Sequence, residues 1–208
     1  MTGSCHLTRL QKIGGIKVDR VLVVCPTYSG KDYALEEYLH AYNNFSHKNK
    51  HLFMVDNSDN NYIEKLLSLG VDAVHVDILD KRNIEGVLSS AWRLFIKKAL
   101  SERYDFIFSC EADNINPPET ISLLLDFCHR YNAGIVAHDY PDGCCRDFPD
   151  DMITGLGCTM IRTCLFSEDV FSDNASIEWN IYLHINKSKF PIIRLSNILK
   201  TNHLKNGL

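Results

Sequence analysis

"YDFIFSCEADNINPPE" (Tyr104–Glu119) decides the fold. Its opening, Tyr104 to Phe108, is a short apolar run of strand-forming residues, and the run leads directly to Glu111 and Asp113, one residue apart. Two carboxylates at that spacing repel each other. A chain accommodates them in a solvated turn, or where a cation lies between them and a ligand. A core strand that ends in such a pair directs attention to what lies at the ends of the other strands.

Working outward, the same strand-then-polar-turn unit recurs. "RVLVVCP" (Arg20–Pro26) is a β-branched run closed by proline, and "TYSGKDYALEEYLHAYNNF" reads as a turn leading into an amphipathic helix. "HLFMVDNSD" (His51–Asp59) is a second strand running into a polar turn, followed by "NNYIEKLLSLG", a short helix stopped by Gly70, and a third strand, "VDAVHVD". In "NIEGVLSSAWRLFIKKALSERY", the residues Val87, Leu88, Ala91, Leu94, Phe95 and Ala99 recur at helical spacing. "PPETISLLLDFCHRY" is a helix with proline at its start, and "AGIVAHDY" is a fifth strand. Strands alternating with helices predict an α/β sandwich with a mainly parallel sheet. From Pro141 to Asp151 comes a loop rich in Gly, Pro, Asp and Cys, whose composition suits a lid that closes over a ligand. Beyond it lie a strand in "GLGCTMIRTCLF", a helix in "SIEWNIYLHINKSK" and a last strand in "FPIIRLSN".

A chain of 208 residues suits one domain, and 45% hydrophobic with 23% charged residues describes an ordinary globular protein. Lys plus Arg number 22 against 26 Asp plus Glu, a formal charge of −4, which argues against a protein built mainly to hold a nucleic-acid backbone. There are eight cysteines but no C-x-x-C pair, so a zinc ribbon has little support, and most of these thiols read as small core hydrophobes. The adjacent Cys144 and Cys145, near His138 and Asp139, read as a loop feature. No apolar signal core opens the chain and no run approaches a membrane span, so a cytoplasmic location is expected.

In an open parallel sheet, ligands bind at the carboxyl ends of the strands. Pro26, Thr27 and Tyr28 follow the first strand, Asp56, Asn57 and Ser58 the second, and Glu111, Ala112 and Asp113 the fourth. Neither G-x-G-x-x-G nor G-x-x-x-x-G-K-[ST] occurs, so neither a dinucleotide fold nor a P-loop is supported. The order "VLVVCPTYSG", "FMVDNSD", "RNIEGVLSSAWR", "FIFSCEADN" resembles the nucleotide-sugar-binding half of a GT-A glycosyltransferase, close to the family 2 type, and the resemblance runs from about Arg20 to His203.

That resemblance implies a three-layer α/β/α sandwich with residues 1–19 as an extension and 20–208 as one catalytic domain. Residues 20–116 would hold the nucleotide sugar and 117–208 the acceptor and catalyst. It implies that Pro26, Thr27 and Tyr28 line the base and that Asp56 meets the base or ribose. Arg93 or Arg82 would anchor the diphosphate. Asp113 would ligate Mn²⁺ or Mg²⁺, with His203 completing the metal shell. Glu111, standing where the family has Asp, would contact the ribose or a metal-bound water beside Ala112. Gly155 to Arg162 matches the family's Gly-rich strand, against the donor sugar. Glu178, with Asp173 as the substitute, would be the general base, with Trp179 beside it. The implied activity is inverting transfer of a sugar, of the hexosyltransferase kind, from a nucleoside-diphosphate sugar, a uridine diphosphate sugar first, to an acceptor hydroxyl. The acceptor is open among a glycan, a lipid, a protein and a hydroxymethylated DNA base. A minimal catalytic domain without membrane helices is expected. Two rivals stand beside this reading. A sugar-nucleotide nucleotidyltransferase would carry a Gly-rich basic loop where only Ser29-Gly30-Lys31 occurs, and a non-catalytic binding module would draw on Glu111.

Overall fold

The computed structural model describes residues 18–59, 61–77, 84–138, 156–167, 181, 190–196 and 198–205. Strands β1 (Val21–Thr27), β2 (Lys50–Asp56), β3 (Asp72–His75), β4 (Phe106–Cys110), β6 (Ile135–His138), β7 (Cys158–Arg162) and β8 (Ile192–Leu195) form one seven-stranded sheet in the order β3-β2-β1-β4-β7-β6-β8. The strands β5 (Asn114–Ile115) and β9 (Asn202–His203) pair separately. Every pairing in the large sheet is parallel except the two made by β7, which runs against β4 and β6. The expected α/β architecture is therefore present.

The period-2 alternation of the strands explains why both sheet faces are covered. Val21, Val23 and Cys25 of β1, with Leu52 and Met54 of β2 and Phe106 and Phe108 of β4, face one core. There they meet Leu35 and Tyr38 of α1 (Leu35–Asn44), Leu66 of α2 (Tyr62–Ser68) and Ile121, Leu124 and Cys128 of α4 (Thr120–Arg130). The intervening residues Leu22, Val24, Phe53, Val55 and Ile107 face the other core, against the Ala91, Trp92, Phe95, Ile96 and Ala99 stripe of α3 (Ile84–Ser101). Trp92 is the anchor of that side, edge-on to Phe95 with ring centroids 5.8 Å apart. The cysteines in these segments behave as core residues. Cys25, Cys110, Cys128 and Cys158 are buried free thiols, and burial pushes Cys110 and Cys128 up to about 12.

Helix ends follow local chemistry. Gly70 ends α2 at φ 76°, the left-handed conformation that costs glycine least, and Val71 N–H closes back on the Leu66 carbonyl at 3.1 Å. Asn132 does the same after α4 at φ 49°. Arg162 then donates from Nε to the Ala133 carbonyl and from Nη2 to the Cys128 carbonyl, at 2.7 and 2.8 Å, satisfying carbonyls at that end. Among the described residues no helix is long and apolar enough to cross a membrane.

Candidate active site

β1 lies between β2 and β4, so successive connections leave it in opposite directions across the sheet. At the carboxyl ends of these strands this reversal opens a crevice, the place where open α/β sheets bind ligands. A cavity of about 440 Å³ occupies it. Its wall is built from Pro26, Thr27 and Tyr28 at the end of β1, Ser29 and Lys31 in the 3-10 turn that follows, and Asn57, Ser58 and Asp59 beyond β2. Val87 and Leu88 of α3 and Glu111 and Ala112 beyond β4 complete it. Tyr28 is 47% exposed, and a Cβ on Gly30 would overlap its ring. Glycine at 30 thus leaves room for the Tyr28 ring, which lines the cavity.

Behind this wall lies a buried polar network. The Asp56 side chain is fully buried. Its Oδ1 accepts from the Ser58 N–H at 3.0 Å and the Ser58 hydroxyl at 2.5 Å, and its Oδ2 meets His75 Nδ1 at 2.8 Å. Parallel pairing puts His75 opposite Asp56 in register. His75 Nε2 reaches Asp77 at 3.1 Å. The hydrogen bond to Asp56, then that to Asp77, raise the His75 pKa above the ordinary imidazole value against a smaller opposing effect of burial. Ser58 Oγ also accepts from the Ser29 N–H at 2.7 Å, joining the first two strand ends. Asp56 therefore shapes the rim from behind, while its neighbours Asn57, Ser58 and Asp59 line the cavity.

The acidic turn is held just as firmly. Glu111 N–H and Asn114 Nδ2 both donate to the Gly157 carbonyl, at 3.3 and 2.9 Å, so the residue preceding β7 braces the turn. On its other side β9 pairs antiparallel with β5, Asn114 opposite His203, and Leu204 N–H donates to the Asp113 carbonyl at 2.8 Å. Asp113 is consequently almost wholly enclosed, its side chain 3% exposed. Its Oδ2 forms an ion pair with the Lys31 ammonium and lies 3.2 Å from the Tyr33 hydroxyl and 3.3 Å from His203 Nε2. Burial alone pushes the Asp113 carboxyl up, but the hydrogen bond and charge of Lys31, with the charge of His203, win and hold it below the usual range. Lys31 answers in kind: burial pulls its ammonium down, and Asp113 more than restores it.

Asp113 Oδ1 is buried and has no hydrogen-bond partner among the described residues. An orphaned carboxylate oxygen beside an imidazole is a donor set suited to a divalent cation such as Mn²⁺ or Mg²⁺. No group of three or more His, Cys, Asp or Glu side chains among the described residues is arranged to hold a metal. Asp113 and His203 would thus supply two ligands and leave the rest to ligand oxygens, the usual arrangement for Mg²⁺ with phosphates. The residues present fit a cation that arrives with a phosphate.

Of the residues singled out in the sequence, Pro26, Thr27, Tyr28, Glu111 and Ala112 line one cavity, and Asp113 and His203 are in contact. Arg93 is exposed on α3 and is not part of the wall, to which Val87 and Leu88 contribute instead. Trp92 is core. Arg82, Asp173, Glu178, Trp179, Cys144, Cys145 and the Pro141–Asp151 loop lie outside the described residues. The sequence placed Ser58 on the rim but gave no site role to Lys31, Tyr33 or His75. Lys31 was legible as a basic residue three positions beyond a strand-end tyrosine. His75 required the β2–β3 register.

Comparison with solved structures places the chain in the GT-A glycosyltransferase fold. TarS 1-349 of S. aureus in complex with UDP-GlcNAc is 15% identical, with a TM-score of 0.59 over 91% of this chain and 59% of that one. Mannosyltransferase PcManGT from Pyrobaculum calidifontis, in complex with GDP-Man and Mn²⁺, is 16% identical, with a TM-score of 0.60 over 88% of this chain and 56% of that one. The chain spans less than two thirds of the length of either. No protein-family model matches it, and no curated protein matches its sequence.

Proposed function

We propose that the protein is a glycosyltransferase that moves a sugar from a nucleoside-diphosphate sugar, a uridine diphosphate sugar first, to an acceptor hydroxyl with inversion. The observation that carries this reading is the exposed ring of Tyr28 in the wall of the switch-point cavity together with a buried carboxylate, Asp113, joined to that wall through Lys31 and with one oxygen that has no partner among the described residues. The solved neighbours, which hold UDP-GlcNAc and GDP-Man with Mn²⁺, support it.

In this reading residues 20–116 bind the donor and 117–208 the acceptor, in a protein of the cytoplasm. Tyr28 stacks on the base, an interaction that tolerates any base because each has a π-face. Ser29, Asn57 and Ser58 offer hydrogen-bonding groups along the same wall. Asp113 and His203 would hold Mn²⁺ or Mg²⁺, and Glu111 would contact the ribose or a metal-bound water. The cation, when bound, neutralises charge that grows on the leaving diphosphate. Glu178 accepts the proton of the acceptor hydroxyl as that oxygen attacks the anomeric carbon opposite the leaving group, with Asp173 as the substitute. The electron pair of the broken bond departs with the diphosphate. A general base contributes about 10²–10⁴-fold to such a step. The acceptor class is a glycan, a lipid, a protein or a modified DNA base.

The test is thermal stabilisation by a panel of nucleotide sugars with and without Mn²⁺. A bound donor at a hundredfold excess over its dissociation constant adds roughly 2.7 kcal/mol. Asp113→Asn is expected to abolish the metal-dependent part, and Glu178→Gln to keep binding and stop transfer. Absence of a shift with every donor plus metal overturns the reading; normal turnover by Glu178→Gln overturns the assignment of the base.

A further inference from the structure

Lys31 belongs to two neighbourhoods at once. Its ammonium is paired with Asp113 Oδ2, and the residue also lines the cavity, with its side chain 27% exposed. Oδ1 of the same carboxylate has no partner among the described residues and is buried. One oxygen of the carboxylate is thus held by a cation of the chain itself, and the other is left for a cation from outside.

Those two cations oppose each other. A divalent ion on Asp113 would sit a few ångströms from the ammonium, and at an effective dielectric constant of about 20 that repulsion weakens metal binding by at least roughly ten- to a hundredfold. The penalty disappears if the ammonium has another anion to turn to. Lysine reaches phosphate as a flexible point charge on a four-carbon stem, and the cavity it lines is the one assigned above to the donor.

We propose that Lys31 is an internal counter-cation that holds Asp113 while the site is empty and passes to the diphosphate when metal and nucleotide enter together. This rests on the donor reading of the cavity. In donor-free protein Lys31 neutralises a carboxylate whose burial would otherwise be costly, and it keeps stray divalent ions from settling there. In the loaded site it becomes a second positive contact for the leaving group. Metal and nucleotide binding are then coupled, and the coupling is reciprocal: each tightens the other by the same factor.

The experiment measures Mn²⁺ binding to the full chain by the loss of the free-ion electron paramagnetic resonance signal, without nucleotide and with saturating UDP or GDP. Wild type is expected to bind Mn²⁺ weakly alone and roughly tenfold or more tightly with the nucleotide. Lys31→Met, which removes the charge and keeps the length, is expected to bind Mn²⁺ alone roughly ten- to a hundredfold more tightly than wild type. The same variant is expected to bind nucleotide more weakly and to lose most of the coupling. Lys31→Arg, which retains a cation, is expected to keep both the weak Mn²⁺ binding and the coupling. Should Lys31→Met fail to fold, Lys31→Gln serves the same comparison. If removing the charge leaves Mn²⁺ affinity of nucleotide-free protein unchanged or weaker, the exchange is wrong, whereas nucleotide binding by wild type leaves the transferase reading standing. If wild type and variants bind neither Mn²⁺ nor nucleotide, both fall.

Discussion

Replacing Asp56 by Asn separates a structural role from a contact with ligand. In the folded protein its carboxylate receives two hydrogen bonds from Ser58 and the imidazole of His75. Removing one partner of a buried pair costs about 3–5 kcal/mol. Here His75 is 27% exposed and water can rehydrate its ring, so a loss of about 2–3 kcal/mol is expected at pH 6. The pH dependence supplies an independent signature. His75 has its folded pKa raised above the unfolded one, so the native state binds more protons between the two values and stability falls as pH rises. The contribution is full below the unfolded value of about 6.5 and is lost as pH rises through the folded pKa, with a slope of at most about 1.4 kcal/mol per pH unit. Urea unfolding of wild type and Asp56→Asn from pH 5.5 to 9, read by circular dichroism, measures both. A flat wild-type profile above about pH 6.5, or the same slope in both proteins, refutes the pairing as the source of this stability.

Two further outcomes are expected. Gly30→Ala places a methyl where the Tyr28 ring lies, so the ring must move, and weaker nucleotide binding with little loss of stability is expected in a UDP or GDP titration. Trp92→Ala empties a site that is 1% exposed and packed against Phe95 and Phe166, and a loss of about 3–5 kcal/mol in urea unfolding is expected.

The fold was readable from the sequence because its strands are buried on both faces and announce themselves as continuous apolar runs, as in Val21–Cys25 and Phe106–Cys110. Gly70 marked a helix end because glycine adopts a positive φ at least cost. The rim was readable because polar residues follow each run directly. Pairings between distant segments carried no such signal. Antiparallel β7 is buried on both faces like its neighbours β4 and β6, and periodicity does not encode strand direction. The β5–β9 pair has two residues per strand, too short for any period, although it carries His203 to Asp113. The pairing of Lys31 with Asp113 carried no sequence signal because the two lie 82 positions apart.

The reversed direction of β7 has a consequence for the acidic turn. Because β7 begins at the end of the sheet where β4 and β6 finish, with Cys158 opposite Cys110 and Thr159 opposite Ala137, the residue just before it lies beside that turn, and the Gly157 carbonyl accepts from the Glu111 N–H and Asn114 Nδ2. A strand entering from the opposite end would bring a different residue there, so the antiparallel run of β7 ties the position of Glu111 to the register of the sheet.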